Sequence, residues 1–186
     1  MTAADEQQLI LRVKEGNHEA YRILVERYMK HAYNIAYGFF SNHDDAEDVA
    51  QESFVRAYES IKSFRCDAAF NTWLYRIVTN LSLNRLRQKK NIRNQSMDST
   101  IDRQTMYSVN NTVDNYQTDI KTILERALHE LPTLQRAVVI LRHLDGLSTK
   151  QVSTILRCSE GTVKTHLYRG LKKMQSKVGF LKDEVL

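Results

Sequence analysis

The sequence predicts an all-α protein: two small helical domains joined by a flexible linker, the C-terminal domain containing a helix-turn-helix. Three observations carry this. Helix breakers are scarce, with one Pro and six Gly in 186 residues. Val and Ile recur at helical spacing, not in alternating runs. One stretch, Asn91 to Gln117, breaks that pattern. It is rich in Asn, Ser, Thr, Asp and Gln and reads as extended or partly disordered. The expected division is 1–90, a linker at 91–117, and 118–186.

In the first block, Ala20, Ile23, Leu24, Tyr28, Ile35, Ala36 and Phe39 mark a long amphipathic helix from Glu19 to Phe40. Asp44 or Asp45 is placed to cap a second helix, running to about Ile61. Its inward residues are Ala46, Val49, Ala50, Ser53 and Ala57. A loop, Lys62 to Ala69, leads to a third helix from Phe70 to about Lys89, with Leu74, Ile77, Val78 and Leu81 toward the core. In the second block, Ile120, Ile123, Leu124, Ala127, Leu128 and Leu131 make one helix, and Pro132 marks the next start. Ala137, Val138, Ile140, Leu141 and Leu144 make another, ended by Gly146.

The stretch Ser148 to Met174, STKQVSTILRCSEGTVKTHLYRGLKKM, reads as two short helices and a tight turn. Ser148 can cap the first, whose buried stripe is Val152, Ile155 and Leu156. Arg157 and Cys158 form the turn. Ser159 can cap the second, where Val163, Leu167, Leu171 and Met174 repeat at helical spacing. Lys164, Thr165, His166, Tyr168, Arg169, Lys172 and Lys173 then face outward or flank. Such a helix can lie in a DNA major groove, reading base edges and holding phosphates. The plainer reading is a helical hairpin with a solvated basic face.

Charge placement favours a nucleic-acid partner. The net charge is +5, a modest excess. Between Gly161 and Lys182 stand six basic residues and no acidic one, and Arg85, Arg87, Lys89, Lys90 and Arg93 form a second cluster. The two cysteines, Cys66 and Cys158, are far apart, so a secreted disulfide framework is not expected and a reducing cytoplasm is. The acidic start MTAADEQQLILRVKEG lacks the form of a signal peptide. No segment approaches the ~20 apolar residues of a membrane span. The six histidines show no metal-ligand spacing, and no glycine loop or nucleophile set is present. No catalytic residue, metal or cofactor is expected.

Two further surfaces stand out. In DAEDVAQESFVRAY, Asp45, Asp48, Gln51 and Glu52 recur at three and four residues and share one acidic face. That face is either a contact surface or a solvated helix start favoured by the helix dipole. On the third helix Arg76, Asn80, Asn84 and Arg87 form a polar stripe opposite the apolar one, with Phe70, Trp73 and Tyr75 near its start. Aromatics beside Arg and Asn can stack unpaired bases and bond their edges. Alternatively, Trp73 and Phe70 belong to the core.

Three motifs, DAEDVAQESFVRAY, FNTWLYRIVTNLSLNRLRQKK and LHELPTLQRAVVILRHLDGLSTKQVSTILRCSEGTVKTHLYRGLKKM, stand in order along most of the chain. Together they resemble an extracytoplasmic-function sigma factor of bacterial RNA polymerase. The resemblance implies that the chain binds core polymerase, through the clamp helices and flap of its two large subunits, and directs promoter-specific initiation. It implies that Asp45, Asp48, Gln51 and Glu52 dock on the clamp helices. The minus-ten set it implies is Phe64, Phe70, Trp73, Arg76, Asn80, Asn84 and Arg87, with the Lys62 to Trp73 loop forming a pocket for a flipped-out base. The minus-thirty-five set is Lys164, Thr165, His166, Tyr168, Arg169, Lys172 and Lys173. The linker is implied to thread toward the polymerase cleft, and a cognate anti-sigma factor, often membrane-anchored in this family, to hold the protein inactive. Many members carry Arg where Lys164 stands, and Lys cannot make the planar two-pronged contact. Cys66 reads as a small, semi-buried loop side chain. The alternatives are a stand-alone helix-turn-helix regulator, against which the acidic helix and single DNA-reading helix speak, and a sigma-like decoy, against which the intact aromatic and Asn residues of the melting segment speak.

Overall fold

A computed structural model describes residues 3–66, 68–96, 115–144 and 146–178. The expected linker falls largely at 97–114, and Lys182 at the C-terminus; both lie outside the described residues. The described chain is all-α, with no strand.

The first group is α1 (Ala3–Lys14), α2 (His18–Phe40), α3 (His43–Ser60), a 3-10 turn (Ile61–Ser63) and α4 (Phe70–Ser96). The second is α5 (Asn115–His129), α6 (Thr133–Val139), a π-turn (Ile140–Leu144), α7 (Thr149–Leu156) and α8 (Glu160–Val178). α1 was not among the expected helices. Leu9, Ile10 and Val13 bury its inner face at the three- and four-residue spacing of a helix.

α2 starts where Asn17 caps it, Asn17 Oδ1 accepting from Ala20 N at 2.8 Å, and its one glycine, Gly38, stands only two residues from its end. It ends where Ser41 takes the left-handed conformation (φ 47) and Asn42 caps α3, accepting from Asp45 N at 2.9 Å. The cap is therefore Asn42, and Asp44 and Asp45 sit in the first turn, where the helix dipole favours acids. Ala46, Val49, Ala50, Ser53 and Ala57 are buried as expected. Their small side chains let α3 lie close on α2 and α4. Fully burying one Leu, Ile or Phe contributes about 1.5–3 kcal/mol. Leu24, Ile35, Phe39, Phe70 and Leu74 do so here.

Five assignments shift. α4 runs a turn and more beyond Lys89. Ile23 and Leu124 are exposed. Ile77 is half-buried at a groove. On α8 the inward residue is Gly170, while Leu171 is 38% exposed. The stripe steps 163, 167, 170, 174, and a Cβ at Gly170 would meet Val139 Cγ2 at 2.9 Å, so the absent side chain sets how closely α8 crosses α6.

Candidate nucleic-acid and polymerase interfaces

The helix-turn-helix is locally over-determined. Ser148 and Gln151 form a reciprocal capping box, Ser148 N donating to Gln151 Oε1 at 2.8 Å and Gln151 N to Ser148 Oγ at 3.2 Å. Arg157 closes α7 in the left-handed conformation (φ 52). Ser159 Oγ accepts from Thr162 N at 3.0 Å, opening α8. Val152, Ile155 and Val163 lock the two helices together. On the outer face of α8, Lys164, Thr165, Tyr168, Arg169, Lys172 and Lys173 are exposed, Tyr168 by 66%. Thr165 Oγ1 donates to Gly161 O at 2.9 Å. His166 is half-buried. Lys177 is drawn aside to Glu130, at 2.5 Å. The exposed set carries four cations and no carboxylate, a surface suited to the phosphates that flank a major groove.

In the first group a groove between α3 and α4 is lined by Arg56, Glu59, Ser60, Ile77, Asn80, Leu81 and Asn84. Asn80 and Asn84, one turn apart, present amide groups that both donate and accept. Arg76 and Arg87 continue the stripe, half-buried and exposed respectively. Beside it, Phe64, Phe70 and Trp73 form an aromatic cluster, with ring centroids 4.9 Å (Phe64–Trp73) and 5.6 Å (Phe70–Trp73) apart. Phe64 and Phe70 are 5% and 1% exposed, so neither presents a face for stacking; they brace Trp73, which is half-buried. Burial also overturns the reading of Cys66: it is exposed, with φ 61. Lys14 Nζ holds the loop from behind by donating to Phe64 O at 2.6 Å. That anchor comes from α1 and was not legible in the loop sequence.

The acidic residues of α3 do line one face, but each has a partner. Asp45 meets Lys89 at 2.6 Å and Asp48 meets Arg85 at 3.4 Å. Glu52 pairs with Arg56 at 2.6 Å, and Gln51 Nε2 donates to Glu47 Oε1 at 3.1 Å. Asp48 and Glu52 remain open to solvent, whereas the Asp45 carboxylate is only 25% exposed. Arg56, the partner of Glu52, also lines the α3–α4 groove, so the acidic face and the groove meet there.

Both halves have matches among known families. Residues 24–92 match the family model Sigma-70 region 2, and residues 121–174 match Sigma-70, region 4. The chain is 34% identical to the ECF RNA polymerase sigma factor SigW of Bacillus subtilis, over 91% of this chain and 94% of that one. The chain belongs to the extracytoplasmic-function sigma factors. Other such relatives are the ECF RNA polymerase sigma-E factor of Escherichia coli (32%, 93% and 94% of the two chains) and the RNA polymerase sigma-H factor of Pseudomonas aeruginosa (30%, 91% of each). The fold is shared with CnrH in complex with the cytosolic domain of CnrY (TM-score 0.71, 22% identity, 94% and 97% covered). It is also shared with the sigma factor RpoE of Bartonella quintana in complex with the anti-sigma factor NepR (TM-score 0.68, 22%, 86% and 96%).

As an extracytoplasmic-function sigma factor, the chain is an alternative sigma factor: it binds core RNA polymerase and promoter DNA and directs transcription initiation. No described helix is long and apolar enough to cross a membrane.

Proposed function

We propose how this sigma factor divides its work among three surfaces. The α3 face of Asp45, Asp48, Gln51 and Glu52 docks on the polymerase clamp helices, with Asp48 and Glu52 as the accessible charges. The groove of Asn80 and Asn84, with Arg76, Arg87 and Trp73, takes the opened minus-ten strand. The base leaves the stack at a cost of a few kcal/mol, which stacking and edge bonds offset. The exposed face of α8 reads the minus-thirty-five element, with Arg169 and Lys164 toward bases and Lys172 and Lys173 toward phosphates.

The observation that carries this division is the groove itself. Its two amide side chains stand beside a braced Trp and next to cationic side chains, as single-strand capture requires. The protein then performs no reaction; it contributes differential binding to the polymerase. It works in the cytoplasm, where the polymerase is. An anti-sigma factor covers its polymerase-binding surfaces until release. The expectation has a precedent in the NepR complex of the Bartonella quintana factor.

Capture of core polymerase by the purified chain, followed by run-off transcription, tests the proposal. A stand-alone regulator would bind duplex DNA but not core polymerase. A decoy would bind core but give no transcript. Start-site-specific transcript dependent on Asn80 and Asn84 supports the assignment.

A further inference from the structure

The loop from Lys62 to Trp73 begins at the wall of the α3–α4 groove. Glu59 and Ser60 line that groove, and the 3-10 turn Ile61–Ser63 follows at once. Ser63 Oγ donates to Ser60 O at 2.7 Å, and Ser60 Oγ donates to Arg56 O at 2.5 Å, so the turn is tied to the groove wall. Phe64 comes next and is held at its N–H, its ring and its carbonyl. The N–H donates to Ile61 O at 3.1 Å. The ring centroid lies 5.9 Å from that of Phe70, edge-on, and 4.9 Å from that of Trp73. The carbonyl accepts from Lys14 Nζ at 2.6 Å, and the same ammonium stands 6.0 Å from the Phe64 ring centroid. Arg65 and Cys66 follow, both exposed, and Cys66 takes φ 61. A left-handed residue other than glycine persists where its surroundings determine it.

Of these holds, the lysine alone comes from outside α3, the turn and α4. Lys14 sits in the last turn of α1, where the helix dipole favours a cation. A lysine at a helix end ordinarily extends into water. This one is half-buried and reaches a neutral carbonyl fifty residues further along the chain. α1 is itself firmly placed. Leu9, Ile10 and Val13 are buried, and Gly16, at φ 91, stops the helix just past Lys14 with its N–H donating to Val13 O at 2.9 Å. Tyr28 OH of α2 donates to Glu6 of α1, and the Tyr28 ring centroid lies 5.5 Å from that of Phe70. α1 therefore meets the aromatic brace twice, directly at Phe64 and through Tyr28 at Phe70.

We propose that Lys14 is a positioning residue for minus-ten reading: from α1 it sets the height of the loop beside the Asn80–Asn84 groove, and with it the stringency with which a base is accepted. Lys14 touches no DNA. A pocket for one base discriminates when its walls are held within about 0.5 Å of the productive geometry. Without the anchor the Phe64 carbonyl turns to water, the loop tip shifts, and a wrong base is rejected less strongly. This rests on the groove and its loop as the downstream reader, and it adds the element that holds the two in register.

Trp73 is the single tryptophan of the chain, so its fluorescence reports the brace directly. Full-length Lys14→Met keeps the apolar stem and removes the donors; Lys14→Arg keeps a charged donor. Both are compared with the parent and with Asn80→Ala for thermal unfolding, Trp73 emission, and run-off transcription with core polymerase on promoters randomised at the downstream or the upstream element. Lys14→Met is expected to unfold near the parent Tm, because Leu9, Ile10 and Val13 hold α1, and to shift Trp73 emission to the red. Its downstream base discrimination is expected to fall about tenfold, the equivalent of one charge-assisted hydrogen bond, with upstream discrimination intact. Lys14→Arg is expected to restore both emission and discrimination. Unchanged downstream discrimination in Lys14→Met, where Asn80→Ala alters it, overturns the anchor and leaves the groove standing. If Asn80→Ala alters nothing either, the groove is not the reader and the anchor falls with it. Equal losses at both elements, or a fall in Tm that accounts for them, reduce Lys14 to a folding contact and also overturn the proposal.

Discussion

Lys89, near the end of α4, reaches back to Asp45 in the first turn of α3, with Nζ 2.6 Å from Oδ2. One turn along each helix, Arg85 stands 3.4 Å from Asp48. The acids proposed for polymerase are thus held by cations from the helix proposed to read DNA. Exposed pairs of this kind contribute about 0–1 kcal/mol to stability. Their larger consequence is positional, since they fix where the carboxylates sit before polymerase arrives.

Reversing Asp48 and Glu52 to Lys is therefore expected to leave helical content unchanged and unfolding free energy within about 2 kcal/mol, since two exposed pairs are lost. Core polymerase affinity is expected to fall about a hundredfold for the pair, roughly tenfold per charge, equivalent to about 1.4 kcal/mol each. Equilibrium binding to core enzyme at fixed salt measures it. Unchanged affinity would remove α3 as the docking surface.

The aromatic cluster separates bracing from reading. Phe70→Ala empties a fully buried site and is expected to cost about 3–5 kcal/mol of stability. Asn80→Ala and Asn84→Ala, on the exposed groove wall, are expected to leave stability within ~0.5 kcal/mol. The Asn variants alone are expected to alter base preference at the downstream element. Denaturant unfolding alongside run-off assays on a randomised downstream element decides this. A Phe70→Ala protein of normal stability would contradict the burial argument.

On α8 the residues divide by position. Arg169→Ala is expected to relax preference at one or two upstream positions, since a good two-pronged base contact is worth about 1–3 kcal/mol of discrimination. Lys172→Ala is expected to weaken all sequences alike and to reduce the salt slope by about one. Titrations of holoenzyme on matched and mismatched upstream elements at several salt concentrations measure both. Equal losses on every sequence for Arg169→Ala would make that residue a phosphate contact.

His129 gives the interface between the regions a pH dependence. Burial first, and then the Arg136 guanidinium, push its imidazole down to about 4, from the usual 6.5. Glu125, on the same helix, is engaged by Tyr37. A lowered histidine pKa means that the unfolded chain takes up a proton the folded one resists. The stabilisation is present above about pH 6.5 and is lost as pH falls from there toward 4. Thermal unfolding at pH 7 and pH 4.5 for the parent and His129→Gln is the check. The parent is expected to lose more Tm than the variant, and parallel losses would assign the acid sensitivity to other groups.

Much of this was legible in the sequence, and the boundary has physical reasons. The Ser148 cap, the Arg157 turn and the buried Val152, Ile155 and Val163 are local patterns, set by residues within a turn or two. The small-residue face of α3 was likewise legible. What was not legible depends on contacts distant in sequence. Gly170 replaces Leu171 in the buried stripe because α6 lies across α8 there. The Asp45–Lys89 pair joins residues 44 apart in sequence. Phe64 and Phe70 are aromatic and near a polar stripe, yet the fold spends them on bracing Trp73. The helix α1 and its Lys14 anchor were missed although Leu9, Ile10 and Val13 carry the helical spacing, a signal weakened by the acidic residues around them.

The division of labour among α3, the Asn80–Asn84 groove and α8 is tested most directly by selecting promoters from a fully randomised library with core polymerase and this chain. The expected transcripts share two blocks of base preference, about 25 pairs apart and so roughly 85 Å of duplex. Replacing the 62–73 loop with that of a relative is expected to change the downstream block and leave the upstream block as it was. Transcripts carrying one block, or a loop exchange that shifts both blocks together, would contradict it.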